Sequence, residues 1–232
     1  DRAAAPARRV LRHAAFTLWW LYAVAPTSAA LSAVRAVEWS EAEPPAPHID
    51  PEKWARLEAR EDRFTHNEVT LWLPVRDSFA RRILLRVVLF GAERGCRHLW
   101  NVGRLAGIDT IHHARILQLD RGRTMAFLSD YDGGLDRYLE DFLGVGSHAV
   151  VPISSNLAHC PKTRWLFGRE DPERFANGWR AMIRAGQLET SIWYGAYRDT
   201  SVREILANRK LRDALFASDM DERAARQWLR SL

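Results

Sequence analysis

Cysteine is scarce: Cys96 and Cys160 are the two in 232 residues. They are too few and too far apart for a disulfide framework or a zinc cluster. Lysine is nearly missing as well, with Lys53, Lys162 and Lys210 alone, so the net charge of +5 rests on arginines scattered from Arg2 to Arg230. Scattered arginine without an RNA or DNA motif leaves no electrostatic footprint, and no nucleic-acid partner is expected. The chain has no Walker loop, dinucleotide fingerprint or His-Glu-x-x-His helix, which disfavours nucleotide-driven chemistry and zinc proteolysis. No Gly-x-Ser-x-Gly elbow accompanies Ser129, Ser154, Ser155, His148 and His159, and Cys160 beside His159 runs into Pro161, so hydrolase chemistry is disfavoured too. What remains is a folded protein: 47% hydrophobic residues and ten tryptophans suffice for one core, or one core with an appendage.

The run from Ala14 to Val34 carries no charge and follows Arg8, Arg9, Arg12 and His13. About twenty apolar residues cross a hydrocarbon core, and basic residues before them favour a cytoplasmic N-terminus. Pro26, Thr27, Ser28 and Ser32 weaken its second half. Three readings stand: a membrane-spanning or interfacial anchor, a helix packed on the protein's own surface, or a cleavable signal peptide. The first predicts a protein associated with a membrane at its cytoplasmic face through residues 14–34. Pro44, Pro45 and Pro47 mark a linker, giving an apolar helix over 1–38, linker and short helix over 39–62, and an α+β domain over 63–232.

That domain is organised around Ile111 to Phe142. Ile111–Leu119 is a β-rich run, Asp120-Arg121-Gly122 a turn, and Thr124–Leu128 a returning strand. A helix follows in which Leu135, Tyr138, Leu139 and Phe142 repeat at helical spacing and Asp132 is the expected cap. Asn67–Val75 alternates as a first strand, Ser78–Trp100 is a long amphipathic helix, and Ala149–Ile153 is the expected fourth strand. The order is the ferredoxin-like split β-α-β pattern, with an N-terminal apolar helix and a C-terminal helical extension. Helices on one face leave the other face of such a sheet bare, to be covered by a homodimer that closes a barrel or by a second half of the chain. For that second half, the expectations are a short run at Thr163–Phe167, a helix at Asp171–Ala185, an aromatic strand at Ser191–Tyr197 and helices at 200–207, 211–217 and 221–229.

The stretches EDRFTHNEVT, GIDTIHHARI, FLSDYDGGLDRYLEDF, PKTRWLF and SIWYGAY together resemble an uncharacterised bacterial family. Its motifs are an Ile-His-hydrophobic-Ala-Arg strand, a Phe-(Leu/Phe)-Ser-Asn-(Tyr/Phe)-Asp-Gly turn and Pro-Arg-Thr-Arg. That family is related to dimeric α/β-barrel proteins, the superfamily of dye-decolourising peroxidases and chlorite dismutases. The resemblance covers roughly Arg60 to Phe216. It implies a ferredoxin-like fold and no established activity. The chain departs from the motifs at His113, Asp130 and Gly134-Leu135.

Among chemistry-bearing residues, His112 and His113 come first. Strand alternation puts one of them on the open sheet face, with Arg115 if it is His113 or with Ala114 if it is His112; the resemblance favours His112. An imidazole there would ligate haem iron or shuttle protons; the commoner state of a core histidine is a satisfied hydrogen bond. His112, His113 and Arg115 are therefore the candidate catalytic residues. Asp130 and Asp132, with Asp136, Glu140 and Asp141, read as helix capping in preference to a cation loop. In HCPKTR, Arg164 offers a fork for an anionic ligand or a salt bridge to Asp130. Asp130, Asp132 and Arg164 are the candidate ligand-binding residues, and no metal is expected.

Two functional expectations follow. One is a membrane-associated protein holding a small ligand or haem on the open sheet face, with peroxidase-like redox chemistry if it is an enzyme. The other is a non-catalytic accessory protein that binds a protein partner or a lipid surface.

Overall fold

The computed structural model describes residues 18, 20–100, 104–163, 171–216 and 226. A π-helical turn at Trp20–Val24 runs into α1 (Ala25–Ser40). The short α2 (Pro51–Glu58) starts where the Asp50 carboxylate accepts the Glu52 N–H at 3.0 Å. Then come β1 (His66–Pro74), α3 (Phe79–His98), β2 (Ile111–Leu119), β3 (Thr124–Asp132), α4 (Leu135–Leu143), α5 (Ser147–Ser154), α6 (Pro172–Gly186), the two-residue β4 (Gln187–Leu188) and α7 (Val202–Leu215).

The strands lie in the order β2-β3-β1-β4, each antiparallel to its neighbour. In β1 the period of two is plain: Asn67, Val69, Leu71 and Leu73 are buried, whereas Trp72 and Pro74 are exposed. Register puts Val69, Leu71 and Leu73 beside Ser129, Phe127 and Met125 of β3, which makes one apolar face. Helices cover that face with Leu85 and Val88 from α3, Leu135 and Leu139 from α4, and Trp179 and Ile183 from α6. The β2–β3 turn passes through Asp120, Arg121 and Gly122 with φ of 47°, 54° and 85°, a run of left-handed backbone that glycine takes most freely.

Several expectations are corrected here. The sheet is open and not closed into a barrel, so the dimeric α/β-barrel type of the expected ferredoxin-like fold is overturned. β2 and β4 both end the sheet, and the chain's own helices bury the face that carries Leu71 and Phe127. The expected strand at Ala149–Ile153 is helical and lies within α5, where Val151 and Ile153 are buried under the helical layer; burial outweighs the β preference of valine and isoleucine. The fourth strand is instead Gln187–Leu188. Ser191–Tyr197 forms no strand, and its Ile192, Tyr194 and Tyr197 are exposed. Residues 164–167 and, apart from Arg226, the expected helix at 221–229 lie outside the described residues.

The membrane expectations are overturned as well. Among the described residues no helix is long and apolar enough to cross a membrane. Residues 14–17 and 19 lie outside the description; over the rest of the run, α1 sends Ala30 and Val34 into the protein's own core. Tyr22 sits edge-on to Phe90 of α3, with ring centroids 5.5 Å apart. At Gly91 a β-carbon would stand 2.1 Å from Thr27 Oγ1, so α1 and α3 meet in close contact. Part of the apolar surface assigned to a bilayer is used in helix packing, while Leu18, Leu21 and Tyr22 remain exposed. With no described helix able to cross a membrane, the expected bilayer-spanning anchor at residues 14–34 and the cytoplasmic-face location that rested on it are withdrawn.

The segment after α1 is fastened to the domain. Glu41 takes two bonds from the fully buried Arg81, Nη2 to Oε2 at 2.6 Å and Nε to Oε1 at 3.1 Å, while Arg81 Nη1 donates to Ser155 O at 3.1 Å. Burial pushes the Glu41 carboxyl upward, but Arg81 and Arg76 together hold it below the usual carboxylate range.

Candidate functional site

A β-bulge sets the chemistry of the outward sheet face. Ile111 opposes Tyr131 and His113 opposes Asp130, so one extra residue stands in β2 between them. Strict alternation fails at that point, and His112 and His113 both reach the face that carries Asp130 and Asp132. The expectation that only one histidine could face that side is corrected.

His112 Nε2 lies 2.6 Å from Asp132 Oδ1, and the His112 ring stacks on His66 at 4.0 Å with 10° between planes. Trp193 meets the His66 ring edge-on and donates its Nε1–H to Asp130 Oδ1 at 3.1 Å. His113 is exposed, with Nδ1 3.9 Å from Asp130 Oδ2. Arg115 is exposed on the same face, opposite Leu128. Arg164 lies outside the described residues.

Asp132 is the hinge of this group. Its second oxygen accepts the Val202 N–H at 2.8 Å, at the first residue of α7. It does not cap α4 as expected; Asp62 Oδ1 accepts the Leu135 N–H there at 3.1 Å. The His66 N–H donates to Arg198 O at 2.8 Å, while His66 Nε2 is buried without a partner among the described residues. Burial, reinforced by the neighbouring His112, holds the His66 pKa below the ordinary histidine value. Across the ladder, burial raises the Glu68 carboxyl, and Asp130 adds to it. Among the described residues no three His, Cys, Asp or Glu side chains are grouped to hold a metal ion.

His66 and Trp193 went unnoticed in the sequence as members of this group. The strand parity of His66 with Glu68 and Thr70 is a signal for the first. Nothing local marks Trp193, which arrives from more than sixty residues away from its partner Asp130.

The opposite face of the sheet lines a half-open pocket of about 340 Å³. Its floor is the apolar sheet face, including Leu71, Ile116 and Phe127, and its walls come from all four helices α3–α6. Ala92 of α3, Ala114 of β2 and Ala149 at the start of α5 line it with small side chains, each half-buried, and thereby leave the space. Glu93, Cys96 and Trp100 lie at the rim. Glu93 is ion-paired with Arg94 and Arg97, and burial pushes the Cys96 thiol up, away from nucleophilic use. A second hollow, about 360 Å³, is an open groove between Pro47, His48, Trp72 and His159.

None of His112, His113, Arg115, Asp130 and Asp132 lines either space. The reading of a membrane-associated protein with a ligand or haem pocket beside the histidines is therefore overturned: no described helix crosses a membrane, and the apolar pocket is on the other side of the sheet. Compared with protein-family models, with curated proteins and with solved structures, the chain has no match.

Proposed function

We propose that this protein binds an apolar small molecule between its sheet and its helical layer. The observation that carries the reading is the cavity of about 340 Å³ with its aliphatic and aromatic lining, a size within the range of ligand sites. Small side chains at 92, 114 and 149 leave open a space that larger apolar residues would fill. The likeness to an uncharacterised bacterial family, itself a proposal resting on motifs, adds no activity to this reading.

The test is a fluorescence titration with the neutral apolar dye N-phenyl-1-naphthylamine. Saturable binding of about one dye per chain is expected, weakened at least about tenfold in an Ala92→Leu, Ala114→Leu double variant that fills the cavity. Equal binding by the filled variant, or none by the natural chain, would overturn the proposal.

A further inference from the structure

The polar groups around the cavity are few enough to be followed one hydrogen at a time. Ser129 Oγ donates to His113 O at 2.9 Å, so the 2.6 Å contact between Ser129 Oγ and Tyr138 OH uses the phenolic hydrogen. Tyr138 therefore has no donor left for a ligand, and burial raises its pKa far above the ordinary phenol, which keeps it neutral. Trp179 Nε1–H is spent on Ser154 Oγ at 3.0 Å. Ser154 itself is 4% exposed, lines the cavity, and donates its own hydrogen to no acceptor among the described residues. Among the described residues no Arg, Lys or His lines the space, and Glu93 is the one charged side chain that does.

These facts select a chemistry. An anionic head group inside the pocket would lose its hydration with no cation among the lining residues, and at the rim Arg94 and Arg97 are already paired with Glu93. A pure hydrocarbon would leave the Ser154 hydrogen unpaired, also a penalty. Building on the binding reading above, we infer that the ligand is an uncharged, mainly hydrocarbon molecule with one hydrogen-bond acceptor, such as a ketone or ester carbonyl, seated on the Ser154 hydroxyl.

Displacement of N-phenyl-1-naphthylamine by n-octane, 2-octanone and octanoate, matched in chain length, tests it. After the water-to-hydrocarbon partition of the two neutral ligands is divided out, the ketone should displace the dye about tenfold better than the alkane, and octanoate should be the weakest of the three. In Ser154→Ala the ketone should lose that advantage while the dye still binds. Removing the hydroxyl also strands the Trp179 N–H, so if that variant does not fold, the ranking in the natural chain decides alone. Saturable dye binding with octanoate strongest, or with all three ligands equal, would overturn this assignment and leave the cavity reading standing. Absence of dye binding would remove both.

Discussion

His66 and His112 lie ring on ring at 4.0 Å; the Nε2 of His112 is bonded to Asp132, and the Nε2 of His66 has no partner among the described residues. A charge on the half-buried His66 would sit beside a second imidazole; Asp130, Asp132 and Glu68 face it from the sheet, His113 from the bulge and Trp193 from the segment before α7. Its folded pKa is below the ordinary value of about 6.5, so the unfolded chain binds more protons and stability rises with pH across that interval. The contribution is complete above about pH 6.5 and is lost as pH falls through the lowered folded value. The thermal midpoint measured from pH 8 to pH 5 should fall less steeply in His66→Phe, which keeps the ring stack and removes the titration. An unchanged slope would show that His66 is not the titrating group. At this scale the sequence was only partly legible. That one of His112 and His113 faces outward was the reading of IHHAR, but the bulge that brings both there depends on pairing with β3, which no local residue announces.

The elements whose residues make their own contacts were the most legible. The hairpin of β2 and β3 follows from two β-rich runs about the Asp-Arg-Gly turn, and α3 and α6 follow from helical periodicity. The failures have one cause. Val150-Val151-Pro152-Ile153 prefers a strand locally, and the aromatic run at 191–197 reads as one, but the sheet positions they would need are taken or absent. Helix packing also reverses a propensity rule at Gly91. Alanine in a helix interior normally stabilises by about 1 kcal/mol over glycine. Here its β-carbon would meet Thr27 at 2.1 Å, where α1 rests on α3. Gly91→Ala should therefore destabilise, by about 1–2 kcal/mol net in urea unfolding. A gain in stability would show that α1 does not press on α3 at this point.

Across the whole molecule, the cavity competes with stability. Ala92→Leu with Ala114→Leu adds six carbons to the apolar interior, worth about 0.8 kcal/mol each if all were buried well. Allowing for imperfect fit, a net gain of about 2 kcal/mol is expected, or about 6 °C in the thermal midpoint for a chain of this length. Together with weaker dye binding, that pairing would mark the alanines as kept for a ligand. A lower midpoint would instead show that the space is already closed by packing in solution.

The sequence by itself determined a folded α+β chain with little cysteine, a central hairpin and a set of amphipathic helices, because propensity and periodicity act between residues close in the chain. The tertiary structure decided the rest. Whether the apolar run before residue 35 met lipid or protein depended on Gly91 being placed to receive it. Both histidines reached one face through a register shift against β3, and Ala92, Ala114 and Ala149 became the lining of one cavity through contacts between elements distant in sequence. Such outcomes rest on long-range packing, and a small side chain reads the same in sequence whether a neighbour fills the space beside it or leaves it open.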